Sequence, residues 1–368
     1  ELRRVDSAQS PRIKIGVKTY LNFSSNDYLG LANHPVLKEA AIKAVEKFGA
    51  GAGASRLICG SLAPFHELEE KLADFKKAEA ALTFSTGYAT ALGTICALLG
   101  KDDIIIIDKL VHASIVDAAR LSGAKLRVFD HNDLNDLEDI LKWARKEVRH
   151  SSLVTRHNLI VTESIFSMDG DAAPLREIVE LKNKYGAWLM ADEAHATGLY
   201  GKNRCGLAEE LGVSDQIEIQ VGTLGKALGA SGGYICGSRN LVEFLVNRAR
   251  SFIFSTAPVP AAAAAATAAI QFVQSKSGEA RLNLLWQRVK QFNPKVQGAI
   301  IPILIGDETK AVEAAAILRE HGIFIPAIRY PTVARGAARL RVTLTAAHSE
   351  DEMALLAAAL NEIGNHKS

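Results

Sequence analysis

Two short segments present reactive side chains at the ends of apolar runs. Leu189-Met190-Ala191 leads into Asp192, Glu193, Ala194 and His195, and Ile219-Gln220-Val221 leads into Gly222, Thr223, Leu224, Gly225 and Lys226. In an open α/β sheet, ligands gather beyond the carboxyl ends of the strands, so a carboxylate and a lysine are offered to one pocket. A carboxylate leaving so apolar a strand is costly to bury without a cation. A protonated pyridine nitrogen is such a cation, and a helix cap or an arginine partner would serve Asp192 equally well. Lys226 alone reads as a solvated loop lysine; its pairing with Asp192 gives it chemistry.

Two further features support a flat, phosphate-bearing ring. Ser85-Thr86-Gly87-Tyr88 opens a helix expected to run to about Leu99, and a glycine-led helix start with free N–H groups is a natural phosphate seat. By itself the segment is also an ordinary Ser/Thr cap. His112 follows the run Ile104 to Ile107 closely enough to stack on a ring in the same pocket, although a lone histidine there is more often structural. Competing motifs fail on spacing. Gly222 to Lys226 has two residues between its glycines and no Ser/Thr after the lysine, so it is no P-loop. Gly49, Gly51 and Gly53 are followed by Arg56 where a dinucleotide fingerprint needs glycine, and H-E-x-x-H is absent. These spacings count against a nucleotide hydrolase, a dehydrogenase and a zinc hydrolase.

The elements that must position these residues alternate. Apolar runs at Ile104 to Ile107, Leu126 to Phe129, Leu159 to Thr162, Trp188 to Ala191, Ile217 to Val221 and Tyr234 to Cys236 read as strands. Between them His66 to Ala78, Asp133 to Val148 and Leu175 to Tyr185 carry apolar residues at helical spacing. This order predicts an α/β fold with a mainly parallel sheet covered on both faces. After Pro258 a long alanine-rich helix, strands near Ile300 to Ile305 and Arg339 to Val342, and a helix from Asp351 to Ile363 predict a smaller C-terminal α+β domain. The passage from Gln291 to Gly298 is abrupt, and loop residues are expected to be missing there. The chain begins without Met, so further N-terminal sequence is expected as well.

Composition narrows the classes. A chain of 368 residues, 48% hydrophobic, can bury a large core. With 43 basic and 41 acidic residues its formal charge is +2, too weak a field to recruit nucleic acid or an anionic membrane, which leaves a small-molecule substrate as the default. Cys59, Cys96, Cys205 and Cys236 form no C-x-x-C pair and no zinc array; they read as reduced, mostly buried thiols of a cytoplasmic protein. The apolar stretch Pro258 to Ile270 is too short and too alanine-rich to span a bilayer.

Taken together, Asp192-Glu193-Ala194-His195 and Thr223-Leu224-Gly225-Lys226 resemble the cofactor motifs of fold-type I pyridoxal phosphate (PLP) enzymes, specifically the α-oxoamine synthases. The segments Asn22 to Gly30, Thr162 to Asp171 and Arg339 to His348 are similar to family segments in family order, so the resemblance covers nearly the whole chain. It implies a fold-type I PLP-dependent transferase with a seven-stranded sheet, divided into an N-terminal arm (1–31), a large PLP-binding domain (32–257) and a small C-terminal domain (258–368). By matched position it implies Lys226 as the Schiff-base lysine and catalytic base, Asp192 as partner of the pyridine nitrogen, His195 as donor to the ring hydroxyl and His112 as the stacking residue. Ser167 and Thr223 follow as further cofactor contacts, with Gly87 and Tyr88 lining the site. Ser255 and Thr256 match the segment that reaches the phosphate of the other subunit, which implies a homodimer with shared active sites.

Within the family, Ile328 to Val333 followed by Arg339 to His348 is most similar to members that join L-alanine to a pimeloyl thioester, carried by coenzyme A or a carrier protein, in biotin synthesis. There Arg3, Arg329 and Thr332 would meet the acyl substrate, and Asn26 with Arg341 the amino-acid carboxylate, a task suited to a guanidinium. Tyr330 stands where the family pattern leads one to expect a second proline. Members that acylate glycine with acetyl or succinyl groups, or serine with palmitoyl, are the nearest alternatives. No metal is implied.

Overall fold

In this computed structural model, residues 2–149, 157–294, 296 and 298–365 are described. Two positions of the abrupt stretch noted above, 295 and 297, lie outside them. The chain opens with a hairpin of β1 (Arg12–Ile15) and β2 (Lys18–Asn22). The central sheet is then built from β3 (Ala80–Phe84), β4 (Ile104–Asp108), β5 (Lys125–Phe129), β6 (Asn158–Glu163), β7 (Trp188–Asp192), β8 (Ile219–Thr223) and β9 (Gly233–Gly237). Their spatial order is β3-β9-β8-β7-β6-β4-β5. Only β9 runs antiparallel to its neighbours, so the sheet is seven-stranded and mainly parallel. Continuous apolar sequence explains it: all five residues of β4 are buried, as strands covered on both faces require.

Element edges moved where local chemistry competes with periodicity. The helix expected from Asp133 begins at Leu134, because the Asp133 carboxylate accepts from the Asn135 and Asp136 N–H groups as a cap. The strand expected from Ile217 begins at Ile219, after a 3-10 turn at Ser214–Gln216. The helix placed at His66 to Ala78 spans Ala63–Lys76, with a proline in its first turn and Lys77 in the left-handed conformation closing it. The long alanine-rich helix is two helices, Pro260–Gln274 and Lys276–Phe292. Ser275 divides them, its hydroxyl accepting from the Gly278 N–H to cap the second. Of the four thiols, Cys205 and Cys236 are buried and Cys96 partly so. Cys59 is exposed in the glycine-rich loop before Ala63, the exception in a mostly buried set.

The remaining strands bind the two chain ends together. β10 (Ile300–Gly306), β11 (Ile323–Phe324), β12 (Ala327–Ile328) and β13 (Ala338–Thr343) follow, and the helix Glu350–Asn365 closes the fold. β10, β13 and β12 form an antiparallel sheet, while β11 pairs in parallel with β2 of the N-terminal hairpin. The exit of β13 is stitched to the arm by N–H donation from Thr343 to the Phe23 carbonyl and from Ala346 to the Tyr28 carbonyl. Phe23 stacks on His348 at 4.2 Å between ring centroids. The helix Pro260–Gln274 packs on Pro35–Phe48 and Ala63–Lys76. Among the described residues no helix is long and apolar enough to cross a membrane.

Candidate active site

Four of the parallel strands deliver polar residues to the same edge of the sheet: Asp108 ends β4, Glu163 ends β6, Asp192 ends β7 and Thr223 ends β8. Beyond β8 the chain turns through Lys226, held by donation from Leu224 to the Gly232 carbonyl and from Gly229 to the Lys226 carbonyl. Gly229 has φ +62, and a Cβ there would lie 2.5 Å from the Ala32 nitrogen, so only glycine lets this loop close on the arm. Lys226 Nζ lies 2.8 Å from His195 Nε2. His195 Nδ1 in turn lies 2.6 Å from the Tyr28 hydroxyl.

Electrostatics distinguish these groups. Burial pushes the Lys226 pKa below the ordinary lysine value, helped by the Arg341 charge and opposed by Asp192 and Glu163. His195 is held well below its ordinary value by burial, then by Lys226 and Arg341, so its imidazole is neutral near pH 7. His112 is also lowered, chiefly by burial, with Asp192 opposing and Lys226 reinforcing. His112 caps the helix Ala113–Ser122, its Nδ1 accepting from the Ser114 N–H. Asp192 Oδ1 accepts from the Ala194 N–H at 2.9 Å, and Oδ2 has no hydrogen bond among the described residues.

The small domain contributes a guanidinium. Arg341 Nε donates to the Ser167 carbonyl at 2.6 Å, Nη1 to Thr343 Oγ1 at 3.1 Å and Nη2 to Asn26 Oδ1 at 3.1 Å. A guanidinium has five N–H donors; beyond these three it also faces the Tyr28 hydroxyl, and donor capacity remains for a carboxylate. The Ser167 loop is fixed from its other side as well. His131 bridges Asp108 at 3.0 Å and Asp171 at 2.8 Å, and although burial opposes its charge, those two carboxylates hold its pKa up at about 10.

Of the residues singled out from sequence, Lys226, Asp192, His195, His112, Ser167, Asn26 and Arg341 converge through these contacts and fields. Gly87 adjoins them: a Cβ there would meet only Thr223, at 3.8 Å, and otherwise open space. Gly87 and Tyr88 begin the helix Gly87–Leu98, whose first-turn N–H groups no intrahelical carbonyl can reach. The Tyr88 ring is half-exposed and its hydroxyl donates to Asp117. Ser255 and Thr256 sit elsewhere, with Thr256 bridged to Ser55 of the glycine-rich loop. Arg3, Arg329 and Thr332 are exposed, Arg3 over the Phe324 ring, and no hydrogen bond or ion pair among the described residues joins them to Lys226. The Tyr330–Pro331 peptide is cis.

Two residues of the cluster were not singled out. Glu163 pairs with Asp192 in the sheet register, is 3% exposed, accepts from the Ser167 N–H through Oε2 at 3.1 Å and leaves Oε1 without a well-formed hydrogen bond. Burial, then the Asp192 charge, push its pKa up to about 8. The signal that exposed Asp192, a carboxylate ending an apolar strand, applies to Glu163 unchanged. Tyr28 had no such signal, since an aromatic residue in an N-terminal segment reads as core.

A half-buried lysine of lowered pKa, a carboxylate with one oxygen uncommitted, a neutral histidine against the lysine and a glycine-led helix start fit PLP: amine for aldehyde, carboxylate for ring nitrogen, N–H groups for phosphate. The fold and the site together define a fold-type I PLP transferase. The chain belongs to the aminotransferase class I and II family, whose model matches residues 18–360. It is 44% identical to the 8-amino-7-oxononanoate synthase of Thermoanaerobacter pseudethanolicus over 99% of this chain and 92% of that protein. Among solved structures it resembles S. paucimobilis serine palmitoyltransferase with bound PLP (TM-score 0.91, 29% identity, 99% of this chain and 93% of that one). It also resembles the 8-amino-7-oxononanoate synthase of Francisella tularensis (TM-score 0.79, 27% identity, 95% and 99%).

Proposed function

We propose that this chain condenses L-alanine with a pimeloyl thioester, releasing carbon dioxide and the free thiol carrier and forming 8-amino-7-oxononanoate for biotin synthesis. The observation that carries the reading is the Arg341 guanidinium, with donor capacity to spare beside Asn26 and close to Lys226, in a chain whose relatives bear that enzyme's name along nearly their full length. PLP, when bound, supplies the sink for the electrons left behind as the amino acid's α-proton departs.

The chain's own residues do the rest. Lys226 would hold the cofactor aldehyde, and its amine, whose lowered pKa suits exchange near neutrality, would take and return the α-proton. Asp192 would keep the ring nitrogen's charge paired, His195 would donate to the ring hydroxyl and His112 would stack on the ring. Gly87, Tyr88, Ser167 and Thr223 complete the cofactor contacts. Asn26 and Arg341 orient the alanine carboxylate, while Arg3, Arg329 and Thr332 receive the acyl substrate delivered by coenzyme A or a carrier protein.

Ser255 and Thr256, the first bonded to the second and the second bridged to Ser55 in their own chain, serve the phosphate of a second copy, so the working unit is a homodimer. The arm (1–31) brings Asn26, and the small domain (258–368) brings Arg341, to the lysine of the large domain (32–257). The enzyme works in the cytoplasm, in keeping with its four free cysteines. Assaying alanine, glycine and serine against pimeloyl, acetyl, succinyl and palmitoyl thioesters tests the reading. Thiol release with alanine and pimeloyl thioester is expected; release only with glycine and acetyl-CoA overturns it.

A further inference from the structure

The histidine between Lys226 and the N-terminal arm has one partner on each nitrogen. Nε2 faces Lys226 Nζ at 2.8 Å and Nδ1 faces the Tyr28 hydroxyl at 2.6 Å. His195 is 5% exposed and neutral, and a neutral imidazole carries one N–H and one acceptor. Which nitrogen holds the proton is therefore set by what its two neighbours offer. Tyr28 is 1% exposed with its pKa pushed up to about 12, mainly by burial, so it keeps its single O–H proton throughout the working range.

That proton has two possible acceptors. Asn26 Oδ1 lies 3.3 Å from the Tyr28 hydroxyl, and His195 Nδ1 is the nearer one. While Lys226 is an ammonium, Nε2 must accept from it, Nδ1–H donates to the Tyr28 oxygen, and the Tyr28 O–H turns to Asn26. Once the lysine nitrogen is committed to the cofactor, Nε2 is freed from that donor. Tyr28 can then give its proton to Nδ1, and Asn26 Oδ1 is not left bare, because Arg341 already donates to it at 3.1 Å.

We infer that Tyr28 is a positioning residue that selects the tautomer of His195: in the loaded enzyme its hydroxyl donates to Nδ1 and confines the imidazole N–H to Nε2, the nitrogen facing Lys226. This rests on the reading that Lys226 carries the cofactor. Tyr28 thereby keeps His195 a donor toward the cofactor's ring oxygen, and its second acceptor, Asn26, ties that tautomer to the Arg341 carboxylate subsite.

The test is nitrogen NMR of protein labelled with ¹⁵N-histidine, with His195→Gln identifying the His195 signals. In PLP-loaded wild type, Nε2 is expected protonated and Nδ1 bare. In Tyr28→Phe that preference is lost, and the pH midpoint between the cofactor's two visible absorption forms rises by about one unit, because the ring oxygen loses a firmly held donor. A merely structural tyrosine would lower Tm and leave both readouts alone. Nδ1–H in the loaded wild type, or an unchanged tautomer and midpoint in Tyr28→Phe, overturns the inference. If Tyr28→Phe does not fold, the wild-type tautomer alone decides. Failure of the underlying reading looks different: the protein develops no visible band with PLP, whereas a wrong tautomer in a coloured protein overturns Tyr28's role alone.

Discussion

Asp192 and Glu193 are neighbours at the end of β7, and each lies in the field of a lysine withdrawn from water, yet the two pairs have opposite characters. Glu193 Oε2 meets Lys76 Nζ at 3.2 Å with both side chains essentially inaccessible, and Lys76 also donates to the Cys205 carbonyl at 2.6 Å. Glu193 Oε1 accepts from the Ala208 N–H at 3.0 Å. The pocket is so tight that a Cβ on Gly206 would fall 1.3 Å from Glu193 Oε2. Burial opposes the Lys76 charge, but Tyr234 and Glu193 outweigh it and raise its pKa. Among the described residues Lys226 has no carboxylate at salt-bridge distance, and its pKa is lowered. A saturated pair holds the fold; a pair with uncommitted atoms is open to chemistry.

The contrast breaks if the two lysines respond alike to removal. Lys226→Ala is expected to cut turnover by at least about 10³-fold, as the proposed role in proton transfer and attachment requires, with no loss of Tm in the cofactor-free protein. Steady-state rates and a melting scan on one preparation check both halves. Lys76→Met is expected to do the reverse. It strands a buried carboxylate at a cost of about 3–5 kcal/mol in denaturant unfolding, while the fraction that stays folded keeps its kcat. A stable but inactive Lys76→Met protein would move Lys76 into the catalytic machinery.

Arg341→Lys sharpens the contrast at the small domain. A point charge cannot reproduce the fork that holds Ser167, Thr343 and Asn26, so KM for alanine should rise about tenfold, more than kcat falls. An equal loss in both would remove carboxylate binding as its task.

The finest test is a slope with pH. Glu163 is raised from 4.5 to about 8 in the folded chain, so the native state holds a proton that the unfolded state has lost. Its contribution to stability is full below pH 4.5 and declines as pH rises toward 8. Glu163→Gln should remove that decline in cofactor-free protein, read as Tm against pH. Lys226 contributes with the opposite sign: its lowered pKa makes stability rise with pH up to about 10.5, and Lys226→Ala should flatten that rise.

Much of this was legible in the chain itself. Apolar runs long enough to cross a covered sheet announce β4, β6, β7 and β8 within a residue or two, and the polar residue ending each run points to the site edge. The short strands β11 and β12 carry no such signal, because two residues cannot show a period. The division at Ser275 was hidden for a related reason: both flanking segments favour helix, and a single hydroxyl cap decides the break. Tyr28 was hidden because its function lies in one oxygen atom of a residue otherwise buried as core.

Sequence alone marked six of the seven central strands, all but β3, and the candidate side chains at their ends, since apolar periodicity and strand length are local properties written in consecutive residues. Only the tertiary structure decided that Asn26 and Tyr28 meet Arg341 and His195 from opposite ends of the chain, through β2 pairing with β11 and β13 stitched to the arm. It also decided which lysine has its proton affinity lowered. Lys76 and Lys226 are chemically identical in the sequence; their proton affinities diverge because burial, and the carboxylates and carbonyls within reach, come from segments far apart along the chain.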